Sequence, residues 1–170
     1  MNASAAAANT SRWFALHDGN RLALYDPTAE QPLWEIETDY ASEAVSGIWP
    51  SPDDSLLLVT YGAQRVAVYR TSDGQLLSNL PFSFLKGHYL RLQQAQNGRL
   101  YVFTSTNYGY DDALILNSET GELISRIPSA VFVNLQTDHI YINNQTDGTL
   151  ACYPLYSLND LREEARKYLK

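Results

Sequence analysis

Two neighbouring carboxylates, Asp111 and Asp112, follow Tyr108-Gly109-Tyr110, and they are the first place in the sequence to look for chemistry. Adjacent carboxylates can hold calcium, but calcium needs about six to eight oxygens from an organised loop. No EF-hand or repeated calcium motif surrounds this pair, so the plain reading is a solvated acidic turn. The three histidines, His17, His88 and His139, are dispersed along the chain. No H-E-x-x-H, P-loop, G-x-G-x-x-G or G-x-S-x-G pattern accompanies them. Cys152, the single cysteine, sits in an apolar run beside Tyr153 and reads as a buried structural thiol that has no internal disulfide partner. This inventory predicts no catalytic residue, no metal and no cofactor. Twelve tyrosines, many of them in connecting segments, point instead to recognition. Large aromatic side chains bury much area at low entropic cost, which is why they dominate binding hot spots.

Positioning such residues needs a folded scaffold, and the composition supplies one. With 45% apolar and 18% charged residues over 170 positions, the chain has globular proportions. Its net charge of −7 and pI near 4.8 leave no clustered basic surface for phosphates, so no nucleic-acid partner is expected. No run approaches the roughly 18 apolar residues of a membrane-spanning helix. Residues 1–11 are small and polar without the basic start and apolar stretch of an export signal, and read as a disordered leader. The sequons at Asn2, Asn9 and Asn144 are then chance matches, and a cytoplasmic location is expected.

From Trp13 to Leu155 the chain shows short β runs separated by turn chemistry, such as Asp18-Gly19-Asn20, Ser72-Asp73-Gly74 and Glu119-Thr120-Gly121. The runs repeat. Arg21-Leu-Ala-Leu-Tyr-Asp26, Arg65-Val-Ala-Val-Tyr-Arg70, Asp112-Ala-Leu-Ile-Leu-Asn117 and Thr149-Leu-Ala-Cys-Tyr-Pro154 superpose, with steps of 44, 47 and 37 residues between Tyr25, Tyr69, Leu116 and Tyr153. Periods of about 40 to 50 residues with several strands per unit mark propeller blades, because one small sheet cannot bury both faces alone. The predicted fold is an all-β, β-propeller-like stack of about 3.5–4 four-stranded antiparallel blades with a short C-terminal α-helix. The repeat domain covers 12–156, in units of about 12–44, 45–86, 87–129 and 130–156. A capping helix is expected over 157–170, where Leu158, Leu161, Ala165 and Leu169 recur at helical spacing and acidic residues precede basic ones. The first unit is short of an inner strand in this reading, which leaves Trp13 and Trp34 partly exposed.

The segment Trp49-Pro-Ser-Pro-Asp-Asp-Ser-Leu-Leu-Leu-Val59 resembles the hairpin of WD-repeat and quinoprotein-like propellers, and Gly87-His88 resembles the pair that opens a WD repeat. Tyr25-Asp26 is similar to the family's tryptophan–aspartate pair, which is replaced by Tyr69-Arg70 and Leu116-Asn117 further along. The resemblance implies that His88 ties a blade together with Asp111 or Asp112 and Thr104 or Ser105. It also implies that Tyr40, His88, Tyr89, Tyr108, Tyr110, Asp111 and Asp112 share one rim, with Ser105–Asp112 as its longest loop.

The function expected from this rim is a non-catalytic scaffold or sensor module that binds a protein partner. The alternatives are a propeller fragment of an enzyme, either a quinone-dependent dehydrogenase or a hydrolase, and a lectin-like carbohydrate binder. Incomplete end units also point to a homodimer that completes a ring, or to a longer polypeptide.

Overall fold

A four-residue turn recurs three times and sets the architecture. In Ala8–Ser11, Ser51–Asp54 and Ala95–Gly98 the fourth residue's N–H bonds back to the first residue's carbonyl at 2.9–3.0 Å. The first residue's own N–H reaches the carbonyl of Trp13, Leu56 and Leu100 respectively, at 2.9 Å in each case. The fourth residue adopts φ +58°, +61° and +71° in turn. That left-handed conformation suits Gly98 and is tolerated by Asp54. The turn joins the first and second strands of three successive sheets. A second turn recurs in the same way: Gly74 and Gly121 donate to the carbonyls of Arg70 and Asn117, both at 2.9 Å.

The computed structural model describes residues 4–38, 45–62, 65–81, 89–95, 98, 100–107, 110–134, 139–143, 148–156 and 158–168. They fall into two units, 1–85 and 86–170. The first unit holds two four-stranded antiparallel meanders. One runs β1 (Ser4–Ala7), β2 (Phe14–Asp18), β3 (Arg21–Tyr25) and β4 (Pro32–Glu37); the other runs β5 (Val45–Pro50), β6 (Leu56–Tyr61), β7 (Arg65–Arg70) and β8 (Leu76–Pro81). All six residues of β6 are buried, so both of its faces are covered. Trp13, Leu22 and Leu24 pack with Ile48, Leu57, Val59 and Tyr69 in one core.

Two expectations are corrected here. Residues 4–11 are not a disordered leader, because Ser4–Ala7 pairs with β2 in the register Ser4↔His17 to Ala7↔Phe14 and supplies the missing inner strand. Asp54 holds the turn that follows: its carboxylate accepts bonds from the backbone N–H groups of Asn9 and Thr10 at 2.7 and 2.9 Å. The Asn9 side-chain amide and the Thr10 hydroxyl add two more at 3.0 and 2.6 Å. Trp13 is consequently 7% exposed rather than open to solvent. Trp34 is half-buried, and its indole Nε1–H donates to the Thr71 carbonyl at 2.6 Å.

The second unit carries a six-stranded sheet in the order β14-β13-β12-β11-β10-β9. Its strands are β9 (Tyr89–Gln94), β10 (Leu100–Asn107), β11 (Tyr110–Asn117), β12 (Leu123–Asn134), β13 (His139–Asn143) and β14 (Leu150–Pro154). The expected boundary between units 87–129 and 130–156 falls inside β12. Its first part pairs with β11 and its last residues, from Ala130, with β13. The register slips between Asp111↔Ala130 and Ala113↔Ile127, opposite Pro128, which has no N–H to give a ladder. Helix α1 spans Leu158–Arg166, with Asp160 in its first turn and Arg166 in its last. Leu161 and Ala165 are exposed, so this part of the expected apolar stripe does not cap the sheet by burial. The fold is all-β with one short terminal helix, as the repeat pattern predicts.

Candidate functional site

The β10–β11 ladder runs from Leu100↔Asn117 to Asn107↔Tyr110. Ser105–Asp112 is therefore not a long loop but the closed end of a hairpin. Hydrogen bonding between strands wins over loop freedom because Thr104, Ser105 and Thr106 also pair with Arg91, Leu90 and Tyr89 on the other side. One cross-strand row contains Tyr89, Thr106 and Asp111, and continues to Ala130. The next row contains Leu90, Ser105 and Asp112. Residues directly opposite one another in a ladder share a face, whereas successive residues along a strand alternate faces. Asp111 and Asp112 thus belong to opposite faces, which removes the shared calcium-binding reading of the pair.

The structure brings Tyr89, Tyr110, Asp111 and Asp112 to one end of one sheet. Tyr40, His88 and Tyr108 lie outside the described residues. Thr106 joins the row without having been singled out from the sequence; extending the strand alternation beyond Thr104 would have found it. Along the same face, Leu100, Val102, Ala113 and Ile115 form the buried core, so the Tyr89–Thr106–Asp111 row is the polar end of an apolar surface. This register puts a carboxylate, a hydroxyl and a phenol residue in one row, types that can accept a proton or hydrogen-bond a polyhydroxylated ligand. Among the described residues there is no group of three or more His, Cys, Asp or Glu placed to hold a metal ion. Cys152 is exposed on β14, contrary to the buried thiol expected from its apolar neighbours.

The corresponding hairpin end of the first sheet holds a buried group that the sequence did not mark. His17, one residue before the Gly19-Asn20 turn, is 2% exposed. Its ring meets Tyr61 edge-on at 5.7 Å, and the Tyr61 hydroxyl lies 3.3 Å from that of Tyr69. Its Nε2 has no hydrogen-bond partner among the described residues. Burial lowers the His17 pKa below its ordinary value, with Asp18 opposing the shift. Protons then bind the unfolded chain more readily than the folded one, so His17 favours folding above about pH 6.5 and loses that contribution as pH falls. The denaturation midpoint should therefore drop between about pH 7 and 5. His17→Leu, which keeps an apolar body of similar volume, should flatten that limb of the profile.

No family model and no curated protein matches this sequence. Among solved structures, 483 chains match it. One is a crystal structure described as "a putative 6-phosphogluconolactonase" from Bacteroides uniformis, matched with a TM-score of 0.52 at 13% identity over 89% of this chain. The match covers 53% of that protein, so this chain spans about half the length of the structure it resembles. At that identity the likeness establishes the propeller-like fold. It also corrects the expectation of a non-catalytic scaffold, because the matched structure carries an enzyme's description and favours the enzyme alternative.

Proposed function

We propose that this chain is the propeller portion of a hydrolase that opens the ring ester of a sugar acid, at the β10–β11 end of its third sheet. The observation that carries the reading is the fold match to the protein described as a lactonase. The local chemistry supports it. Asp111 would take the proton of a water as its oxygen attacks the lactone carbonyl. The acyl C–O bond then breaks, and the proton passes to the departing ring oxygen. Thr106 offers a hydroxyl to the sugar, and Tyr89, in the same cross-strand row, offers an aromatic face. The chain's net charge of −7 favours an uncharged lactone over its phosphate ester. The Trp49–Val59 hairpin and the recurring turns support placing the chain among WD-repeat-like propellers. Because it spans about half of the matched structure, a second copy or a longer polypeptide would complete the ring.

Ring opening of gluconolactone and of its 6-phosphate, followed by acid release in a pH-stat, tests the proposal. The chain should accelerate opening of the uncharged lactone more than that of the phosphate. Asp111→Asn should lower turnover by about 10²- to 10⁴-fold, the usual worth of a general base. Asp112→Asn, on the opposite face, should change it little. Opening no faster than in buffer alone would overturn the reading.

A further inference from the structure

We infer that the second unit carries a separate binding site for a small uncharged ligand with an aliphatic or aromatic body and a single hydroxyl or carbonyl. The site is a cavity of about 490 Å³ between the sheet and the start of α1. That volume lies within the roughly 300–1,000 Å³ usual for small-molecule pockets. Its floor is built from Ile115 on β11, Ile124 and Ile127 on β12, and Ile140 on β13. Ile115 and Ile140 are 3% and 2% exposed and belong to the core, while Ile124 and Ile127 pack against them. β-branched side chains have few rotamers, so a floor of four isoleucines resists collapse into the space above it. Leu155 and Leu161 form a wall.

The chemistry of the lining selects the ligand. Among the described residues, no charged side chain lines the cavity, although the chain carries 31 of them. An ion entering it would lose its hydration with no partner to replace it. The polar side chains available are the hydroxyls of Ser125, Tyr153 and Tyr156, enough to orient one hydroxyl or carbonyl. At the mouth, Tyr153, Tyr156 and Leu161 are 52%, 42% and 47% exposed. Large apolar side chains gathered in the open around a concavity mark a surface that a ligand covers. This site is independent of the proposed hydrolysis: Ile115 lies four residues along β11 from Asp111, and none of the residues assigned to catalysis lines the cavity.

Calorimetric titration of the full chain with 1-decanol and with decanoate tests the inference. Decanol should bind one-to-one and raise the melting temperature. Decanoate, whose carboxylate would have to shed water without a cation to meet it, should bind at least about tenfold more weakly. Leu161→Trp, at an exposed wall position, should fill the mouth and weaken decanol binding about tenfold while leaving the melting temperature of the free protein unchanged. Ser125→Trp, at an exposed position of the lining, should do the same and serves if the helix variant alters folding. Absence of saturable decanol binding would overturn the site, as would binding that survives both variants. Tighter binding of decanoate would overturn the ligand class. A dimer that Leu161→Glu dissociates, without decanol binding, would assign the surface to a second copy and also overturn the inference.

Discussion

Asp54→Ala should destabilise the first unit by about 3 kcal/mol, measured as the shift in the urea midpoint multiplied by the denaturant slope. Its carboxylate accepts four hydrogen bonds from Asn9 and Thr10, and Asn9 also donates from its side chain to the Ser51 carbonyl at 2.9 Å. Truncation leaves two backbone N–H groups of a tight turn without their acceptor, and a buried donor left unmade costs about 1–3 kcal/mol. Alanine must also hold φ +61°, where its Cβ crowds the backbone. Asp54→Asn separates these effects. Asparagine tolerates the left-handed conformation and keeps one oxygen, so its loss should be about half as large. Burial works against ionisation of Asp54, but the bonds from Thr10 and Asn9 outweigh it and hold the pKa below the ordinary carboxylate value. The folded state therefore gains from the ionised carboxylate above about pH 4 and loses that gain as pH falls further. The gap between wild type and Asp54→Asn should narrow over that range. Equal stability of all three proteins at pH 7 would mean that the Asp54 clamp does not hold the N-terminal turn.

Gly74→Ala should cost about 3 kcal/mol, from two causes that a control can divide. Gly74 sits at φ +72°, where an L-residue pays about 1 kcal/mol. A Cβ built there would also lie 2.8 Å from Cε3 and 2.9 Å from Cδ2 of the Trp34 ring. The ring is poorly placed to yield, because its Nε1–H is bonded to the Thr71 carbonyl at 2.6 Å. Gly19→Ala supplies the control: φ is +63°, but nothing lies within 4 Å of the added carbon. That variant should lose only about 1 kcal/mol. Chemical denaturation of both proteins gives the comparison, and equal losses would remove Trp34 from the account.

Much of the framework was legible because it is local. The short apolar runs in Arg21–Tyr25, Arg65–Arg70 and Asp112–Asn117 mark strands that the structure contains. The turns at Asp18-Gly19-Asn20, Ser72-Asp73-Gly74 and Glu119-Thr120-Gly121 all have a glycine at positive φ, as their composition requires. The repeat is readable too, but its clearest marker is a backbone pattern and not a sequence motif. Ala8, Ser51 and Ala95 open the same hydrogen-bonded turn, and only the Ser51 copy carries the familiar Ser-Pro-Asp sequence.

The candidate site was readable in part. Tyr89, Tyr110, Asp111 and Asp112 stand at one end of one sheet, and Ser105–Asn107, which reads as loop in the sequence, is strand. Its Thr-Ser-Thr-Asn and Tyr-Gly-Tyr composition has no apolar alternation of its own. Thr104–Asn107 becomes strand because β9 and β11 supply ladder partners on either side.

By itself, then, the sequence determined an acidic, all-β chain of repeated hairpins with a terminal helix, since side-chain period and turn chemistry act over a few residues. Only the tertiary structure decided that the weakly β-forming Ser4-Ala-Ala-Ala7 becomes an inner strand, that β12 serves two neighbours, and that His17 is buried against Tyr61. Each of these depends on partners distant in the chain. Backbone groups take whichever ladder completes their hydrogen bonds, and local propensity does not record which strand will offer one.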